Sequence, residues 1–414
     1  MHLKKRHLAL PPLIGYSIFG LSISAISAAS KLGFITSLAS LIILIVIKKE
    51  PIPKYISYYI SIILYFSFSA LWANPINLSG LGNYLTPTLA AISFALALAY
   101  KALSPKGIIL ILLIPCAANF CAYILEINYT AIIYDLDTEA AFKRFGGLVG
   151  HPNPLTTRLI LPLIALTIFL NELKNDRHFN IILLASVFFA LFSTYATGSK
   201  KSALFIATIT PYLVYNLTLK TKHSSKIKYS LWGATLTTIA YCYFINFTSP
   251  QDSIEVVSRI ISSIEGGDES TIGRLYMLQI WPDYFAASPV FGNGLDQFAI
   301  LSKLGYYSHN NYVEIAVNLG LVGLFLYYGM YYFAIIKAFQ QKRYFFSATF
   351  TLLFLFLDFT GVSYSDRGTQ IALLLFYFSI FNQQKKQPPL THKTHRPLIS
   401  NENNVQAKIV PLNR

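Results

Sequence analysis

Cysteine and charged residues are both scarce in this chain of 414 residues. Only three cysteines are present, Cys116, Cys121 and Cys242, and all three lie in apolar stretches. Three thiols in such surroundings exclude a disulfide framework and a cysteine-based metal site. Charged residues make up 12% of the chain, against 54% hydrophobic residues. This balance excludes an ordinary soluble domain, because no soluble fold of this length needs so much apolar surface.

The apolar residues form runs that alternate with short polar stretches, and the mean hydropathy is +0.50. A helix needs about 20 mostly apolar residues to span a bilayer. The pattern therefore predicts an all-α, polytopic membrane protein with about twelve transmembrane helices in one domain, residues 1–382. The predicted helices are 9–28, 32–47, 55–72, 84–100, 107–125, 154–171, 179–194, 202–219, 229–247, 311–336, 344–362 and 368–382.

Positive charge is unevenly divided between the loops on the two sides of this predicted bundle. The net charge is +15 at pH 7. The loops on one side, with both termini, carry 23 Lys and Arg residues, and the loops on the other side carry nine. Because cytoplasmic loops are enriched in Lys and Arg, both termini are predicted to be cytoplasmic. The basic residues form short clusters between apolar runs, so their distribution argues against nucleic acid and indicates membrane lipids as the surroundings.

One predicted loop, residues 248–310, is far longer than the others and lies on the non-cytoplasmic side. Loops of this length are commonly functional. Within it, residues 272–284 have the pattern of a short amphipathic helix at the membrane surface. The final segment, 383–414, is polar, basic and contains proline. This composition predicts a disordered cytoplasmic tail.

Basic side chains on the non-cytoplasmic side are candidates for binding a phosphate group. Lys200 and Lys201 stand at the predicted start of a helix, where free N–H groups favour anions, although an ordinary helix start with snorkelling lysines is the alternative. Arg274, in the long loop, can hold a phosphate through two parallel hydrogen bonds, and a solvated loop arginine is the alternative. Arg144 and His151 belong to a second polar stretch, for which a turn that starts a helix is the favoured interpretation.

His309 lies at the predicted start of the tenth helix. A neutral imidazole there can take a proton from a sugar hydroxyl near neutral pH, and an interfacial histidine that caps the helix is the alternative. At 100° per residue, Asn310 and Glu314 fall on one polar face, and Gly320 and Gly323 fall on the opposite small face. The small face predicts tight helix packing, and the polar face predicts a cavity or polar partners. Asp, Glu and His recur at no metal-binding spacing, so no metal site is predicted.

Several short motifs between residues 140 and 340 form one pattern. They are Gly150-His151-Pro152-Asn153, Thr197-Gly198-Ser199, Gly273-Arg274, Trp281, Ser288-Pro289-Val290-Phe291-Gly292-Asn293-Gly294, Phe298, His309-Asn310-Asn311-Tyr312, Glu314 and Gly320-Leu321-Val322-Gly323-Leu324. Taken together, these motifs resemble the signature of the O-antigen ligase/polymerase superfamily. At one position the chain departs from the family pattern, because the family has Arg after Thr-Gly-Ser and this chain has Lys200, which binds phosphate without the bidentate fork of arginine.

The resemblance implies a bacterial inner-membrane glycosyltransferase of the GT-C type, with its active site and one large loop, 248–310, in the periplasm. Such enzymes take a glycan from undecaprenyl diphosphate, and a ligase transfers it to lipid A-core without a nucleotide sugar, a cofactor or, as a rule, a metal. On this basis Arg274 and Lys200, with Lys201 and Arg144, bind the diphosphate and stabilise the leaving group. His309 orients or deprotonates the acceptor hydroxyl in an inverting reaction, and Asn310 and Glu314 support that histidine or line the pocket.

Two other functions stay open at this point. A repeat-unit polymerase for O-antigen or exopolysaccharide would have a similar active site, since only the acceptor differs; the ordinary length and single large loop favour the ligase. Twelve helices with both termini in the cytoplasm would also suit a flippase for a lipid-linked glycan. Transporters, however, place key charges near the membrane midplane and often show two related halves. Here the charges gather at one edge and no repeat is visible. The sequence is also compatible with a homodimer.

Overall fold

Helices account for all the regular structure in the parts of the chain that the computed structural model describes, residues 10–48, 50–129, 145–219 and 269–382. A 3₁₀ turn, Gly147–Val149, precedes α6. The helices are α1 (Leu10–Ser22), α2 (Ser27–Lys48), α3 (Lys54–Ser69), α4 (Leu78–Ala99), α5 (Pro105–Ile124), α6 (Pro152–Ile168), α7 (Leu170–Leu173), α8 (Phe179–Thr197), α9 (Lys200–Leu219), α10 (Glu269–Ala287), α11 (Phe298–Leu301), α12 (Asn311–Gln340), α13 (Tyr344–Thr360) and α14 (Arg367–Phe381).

Each predicted helix that falls within these ranges is present, so the all-α prediction is confirmed for them. The helix predicted at 272–284 forms the centre of α10. Its apolar side chains occupy both the packed side and the exposed side, since Met277 is buried while Leu275 and Tyr276 are exposed. The predicted helix 229–247, the part 248–268 of the long loop and the tail 383–414 lie outside the described residues.

Several of the helices have the length and composition of membrane spans. Among the residues that the structure describes, five helices are long and apolar enough to cross a bilayer. Their outer faces carry large exposed apolar side chains, such as Phe325 and Leu184. A contiguous apolar exterior of this kind is unfavourable in water and favourable in lipid. These features support the predicted polytopic membrane architecture. The five spans are Ser27–Val46, Gly80–Ala99, Pro105–Ile124, Phe179–Thr197 and Asn311–Gln340.

Helix α6 is the centre of the bundle. Almost all of its residues are buried, including the charged Arg158. A helix that is apolar on every side must be enclosed by others. Accordingly, α6 packs against α5, α8, α9 and α14. This enclosure fixes the first turn of α6 beside the first turns of α9 and α14, where the polar residues discussed below are found.

The predicted boundary between the first two helices, at residues 28–32, is wrong. Helix α1 ends at Ser22, and α2 begins at Ser27. The buried Arg158 and the half-buried Arg367 bind carbonyl groups in the last turn of α1: Arg367 donates to the Leu21 oxygen at 2.7 Å and Arg158 to the Ser22 oxygen at 3.2 Å. Carbonyls at a helix end have no partner inside the helix and need such donors. The boundary is therefore set by residues more than a hundred positions away.

Helix α12 is broken at Gly320, which has φ 65° and ψ −164°. The segment 288–294 passes alongside the break and forms hydrogen bonds with backbone groups that have no partner within the helix there. Asn293 and Gly294 donate their N–H groups to the Val317 and Asn318 oxygens at 2.9 and 2.8 Å. On the other side of the break, the N–H groups of Leu321 and Val322 donate to this segment at 2.9 and 3.1 Å. Broken helices are tolerated at membrane depth where the freed groups find such partners.

The prediction that Gly320 belongs to a small face for helix packing is therefore wrong. Its backbone conformation is one that only glycine adopts readily. A Cβ at this position would also collide with the Val290 carbonyl oxygen. A helical wheel assumes a continuous helix, and the wheel drawn through residues 310–323 crosses the break. The first part of α12, which is capped by Asn310 and contains Glu314, is therefore a separate short helix that ends at the break.

Replacing Gly320 with alanine should destabilise the fold. The alanine meets both an unfavourable φ and ψ and the Val290 carbonyl, so we expect a loss of at least ~2 kcal/mol. A matched control is Gly82→Ala, because a Cβ on helical Gly82 meets nothing within 4 Å. Thermal unfolding of the purified protein in detergent measures both. Equal unfolding midpoints for Gly320→Ala and Gly82→Ala would contradict the role of the break.

Candidate functional site

His309 sits in a tight turn immediately before α12. Its φ of 55° is in the left-handed region. The next residue, Asn310, caps the helix: its Oδ1 accepts from the N–H groups of Tyr312 and Val313 at 2.9 and 3.2 Å. A side chain that caps a helix in this way fixes where the chain enters it. The imidazole is therefore presented from a rigid position rather than from a long mobile loop.

Glu314 holds the same turn from inside the helix. It is fully buried, and its Oε2 accepts from the Ser308 N–H at 2.7 Å. Its Oε1 accepts from the amide nitrogen of Asn318 at 3.0 Å. The Asn318 Oδ1 in turn accepts from the Phe298 N–H at 2.7 Å. This chain of bonds ties the turn that carries His309 to the broken helix and to α11, and it satisfies a carboxylate that would be costly to bury alone.

Positive charges surround His309. Burial, and to a smaller extent the charges of Arg274, Lys201 and His151, together lower the pKa of His309 to about 4. Arg274 and Lys201 belong to α10 and α9, and His151 is the residue that caps the start of α6. His309 is therefore uncharged at neutral pH. The site combines a neutral imidazole with a positive surface suited to an anion.

Arg274 reaches this position because α10 packs against the first part of α12. One turn further along α10, Met277 is buried in a cluster with Val313, Val317 and Phe298. Side chains three or four residues apart on a helix lie on the same face. Arg274 is consequently directed to the side where α12 begins, which is where the turn with His309 lies.

Lys201 is the second cation of the cluster and lies in the first turn of α9. Its amine occupies the space that a side chain at Gly361 would fill. The charges that act on it are those of Asp366, Arg274 and Asp358. The two carboxylates partly balance the cations, so the cluster is not a set of like charges alone. Asp366 also caps α14, accepting from the Thr369 N–H at 2.8 Å.

Two polar turns that are distant in sequence meet at this site. His151 precedes α6, and its Nδ1 accepts from the Asn153 N–H at 3.2 Å. The Asn153 Oδ1 accepts from the Ser199 hydroxyl at 3.2 Å. The turn 150–153 is thereby joined to the turn 197–199 that leads into α9. The interpretation of His151 as the start of a helix is confirmed, and the same histidine also contributes to the charge around His309.

The predicted site residues are thus only partly assembled here. His309, Arg274 and Lys201 come together, while Asn310 and Glu314 act as helix cap and internal support. Arg144 and the side chain of Lys200 lie outside the described part of the chain. Asp366, at the predicted start of the last helix, was missed. The pattern Asp366-Arg367-Gly368-Thr369 is a helix-start signal, but nothing local to it indicates proximity to Lys201.

The sequence that forms this site can be compared with a family of known proteins. Residues 185–328 match the family model described as O-antigen ligase. The match includes Lys201, Arg274 and His309, and it spans α10 and the break in α12. It confirms the superfamily resemblance stated from the sequence. No curated protein matches the chain. Among the residues that the structure describes, no three His, Cys, Asp or Glu side chains gather as a metal-binding group, and independence of metal stays a prediction.

The titration of His309 should reflect its surroundings. We expect the imidazole of His309 to titrate with a midpoint of about 4 instead of 6.5. The titration is measured by NMR of the histidine-labelled protein in detergent, and the signal of His309 is assigned as the one missing in His309→Gln. Arg274→Gln should raise the midpoint without restoring 6.5, because burial is the larger cause. Since the unfolded chain binds this proton more readily, stability from this group is lost as the pH falls from 6.5 towards 4.

The control for this titration is Arg177→Gln, which removes an exposed arginine from the turn before α8. This variant should leave the midpoint of His309 where it is in the wild type. A wild-type midpoint near 6.5, or an unchanged midpoint in Arg274→Gln, would contradict the arrangement described above.

Proposed function

We propose, from the match of residues 185–328 to the O-antigen ligases, that the protein is an O-antigen ligase of lipopolysaccharide biosynthesis. In this proposal it is a GT-C type glycosyltransferase that transfers a glycan from undecaprenyl diphosphate to lipid A-core. The reaction takes place at the periplasmic face of the bacterial inner membrane, needs no metal and inverts the anomeric centre. The observation that carries the proposal is the uncharged His309 within a cluster of cations.

Arg274 and Lys201 bind the diphosphate of the donor in this proposal. A diphosphate gains negative charge as the bond to the sugar breaks, and fixed positive groups stabilise that charge most where water is excluded. Arg274 offers a planar fork for two phosphate oxygens, and Lys201 offers a compact charge. Lys200 and Arg144 remain proposed further contacts. The charges of Asp366 and Asp358 act on Lys201 and offset part of the positive charge when the donor is absent.

His309 acts on the acceptor. Its uncharged imidazole accepts the proton of the acceptor hydroxyl as that oxygen attacks the anomeric carbon. The bond between the anomeric carbon and the phosphate oxygen breaks, and undecaprenyl diphosphate leaves with the bonding electron pair. The proton held by His309 then passes to solvent. Attack from the face opposite to the leaving group inverts the anomeric centre.

The donor itself improves His309 as a base. In the free site, Arg274 and Lys201 oppose a positive charge on the imidazole. A bound diphosphate brings negative charge to the same place and offsets both cations. The pKa of His309 therefore rises when the donor is bound, towards the value at which a general base works best near neutral pH. Proton removal is in this way favoured only when the leaving group is in position.

Substitution of Arg274 tests the donor side of this mechanism. Arg274→Gln should lower ligation by about 10²–10³-fold, the usual cost of removing one such donor, and Arg274→Lys should retain an intermediate rate because the charge is kept. Arg177→Gln, an exposed arginine outside the site, serves as the matched control. Ligation is measured in membranes as the fraction of lipid A-core that carries O-antigen.

His309→Gln tests the acceptor side in the same assay. The loss expected for a general base is about 10²–10⁴-fold in kcat, with donor binding maintained because Arg274 and Lys201 are intact. Wild-type rates in both His309→Gln and Arg274→Gln, at equal protein levels, would rule out this mechanism.

A further inference from the structure

A cavity of about 260 Å³ lies beside the cation cluster. Its walls come from the start of α4, the residues that follow the 288–294 segment, and the connection between α13 and α14. Tyr307 forms one wall, and its ring lies 4.4 Å from the ring of His309. Arg274, Lys201 and His309 do not line the cavity. It is therefore a neighbouring compartment that meets the site at Tyr307 and at Glu314, the residue that supports the His309 turn.

The lining of this cavity combines aromatic faces with hydrogen-bonding groups. Three tyrosines contribute, and between them lie a carboxylate, an amide and a hydroxyl. Small-molecule sites typically have this composition, with apolar walls for contact and few polar groups for orientation. A sugar ring matches it, because its C–H faces pack on aromatic rings and its hydroxyls bond to the polar groups. The residues are Tyr84, Tyr307, Tyr364, Asp296, Asn83 and Ser365.

Asp296 is held rigidly in this wall. Its Oδ2 accepts from the amide nitrogen of Asn77 at 2.6 Å. The carboxylate approaches α4 so closely that a Cβ on Gly80 would lie 2.6 Å from the same oxygen. An ionised carboxylate offers about four acceptor sites in all, and one amide uses only one of them. Burial raises the pKa of Asp296, so hydroxyl donors from a ligand would compensate for the lost water.

The charges around the cavity select against an acidic ligand. Two carboxylates line it, Asp296 and the deeper Glu314. The guanidinium of Arg367 also lines it, but this group donates to the Leu21 oxygen at 2.7 Å and to the Ser30 hydroxyl at 3.2 Å. A phosphate or sugar acid would be repelled by the two carboxylates, while the guanidinium is already hydrogen-bonded to the protein. An uncharged ring with neighbouring hydroxyls would meet acceptors and aromatic faces.

We infer that this cavity binds the acceptor, as an uncharged hexose-type ring whose reactive hydroxyl is directed past Tyr307 to His309. The inference rests on the proposed function, which places the donor diphosphate on the other side of His309, at Arg274 and Lys201. The volume is near the lower limit of about 300 Å³ for small-molecule sites. One ring with ordered water fills it, and a length of polymer does not. The mouth is open, because Asn83 and Tyr307 are exposed.

Binding of the acceptor without the donor tests this inference. The probe is the core oligosaccharide freed from lipid A by mild acid, titrated calorimetrically into the full-length protein in nanodiscs. Asn83→Trp places a bulky ring across the mouth and should abolish binding. Asp296→Asn removes a charged acceptor and should weaken binding about tenfold, as expected for one hydrogen bond to a charged group.

Two matched controls keep the test independent of folding. Gly82→Trp puts the same ring on the neighbouring position of α4, about 100° around the helix, where a Cβ meets nothing within 4 Å. Asp283→Asn removes an exposed carboxylate from α10. Both should bind the oligosaccharide as the wild type does. Wild-type affinity in Asn83→Trp and Asp296→Asn, or no binding by the wild type, would overturn the inference.

The two proposals fail in different ways. Oligosaccharide binding that depends on Asn83 and Asp296, without any glycan transfer by the wild type, would refute the ligase and keep the saccharide site. Transfer by the wild type that is unchanged in Asn83→Trp would refute the saccharide site and keep the ligase. When both hold, Asp296→Asn should raise the KM for the acceptor about tenfold and leave the KM for the donor unchanged.

Discussion

The candidate site depends on the hydrogen bonds between the 288–294 segment and the broken helix α12. The break at Gly320 frees backbone groups on both sides, and this segment satisfies them in the interior. As a consequence, the first part of α12 is a short, separately anchored helix. His309 directly precedes this short helix, and α10, which contains Arg274, packs against its side. Asp296 lies just after the 288–294 segment. Irregular backbone is tolerated at membrane depth where released groups are paired, as those of Val317, Asn318, Leu321 and Val322 are here.

The electrostatics of the site follow from this anchoring. The backbone on both sides of His309 is fixed, by the helix cap of Asn310 and by the bond from Ser308 to the buried Glu314. After burial, the charges of Arg274 and Lys201 are the next causes that lower its proton affinity, so what binds beside them changes it. This arrangement couples the binding of an anion to the basicity of the imidazole. In the proposed reaction, the same charges serve first to bind a diphosphate and then to stabilise it as the leaving group.

Much of this arrangement could be predicted from the sequence, and the remainder could not for physical reasons. The helices follow from apolar runs, and the choice of Arg274, Lys201 and His309 as candidates follows from polar residues at the ends of those runs. The break at Gly320 could not be predicted, because an unbroken apolar run predicts one continuous helix. The hydrogen bonds to the 288–294 segment that permit the break are visible only in the structure. Similarly, the place of Asp366 and His151 beside the cluster depends on which helices enclose α6, and the end of α1 depends on the distant Arg158 and Arg367.

The most direct test of the proposed function uses a strain deleted for this gene. Its lipopolysaccharide is separated on a gel, and its pool of undecaprenyl-linked glycan is measured in parallel. A ligase predicts core-only lipopolysaccharide, with long polymer accumulating on the lipid carrier at the periplasmic face. Lipopolysaccharide capped with a single repeat would contradict this account in favour of a polymerase. Carrier-linked single units held on the cytoplasmic side would contradict it in favour of a flippase.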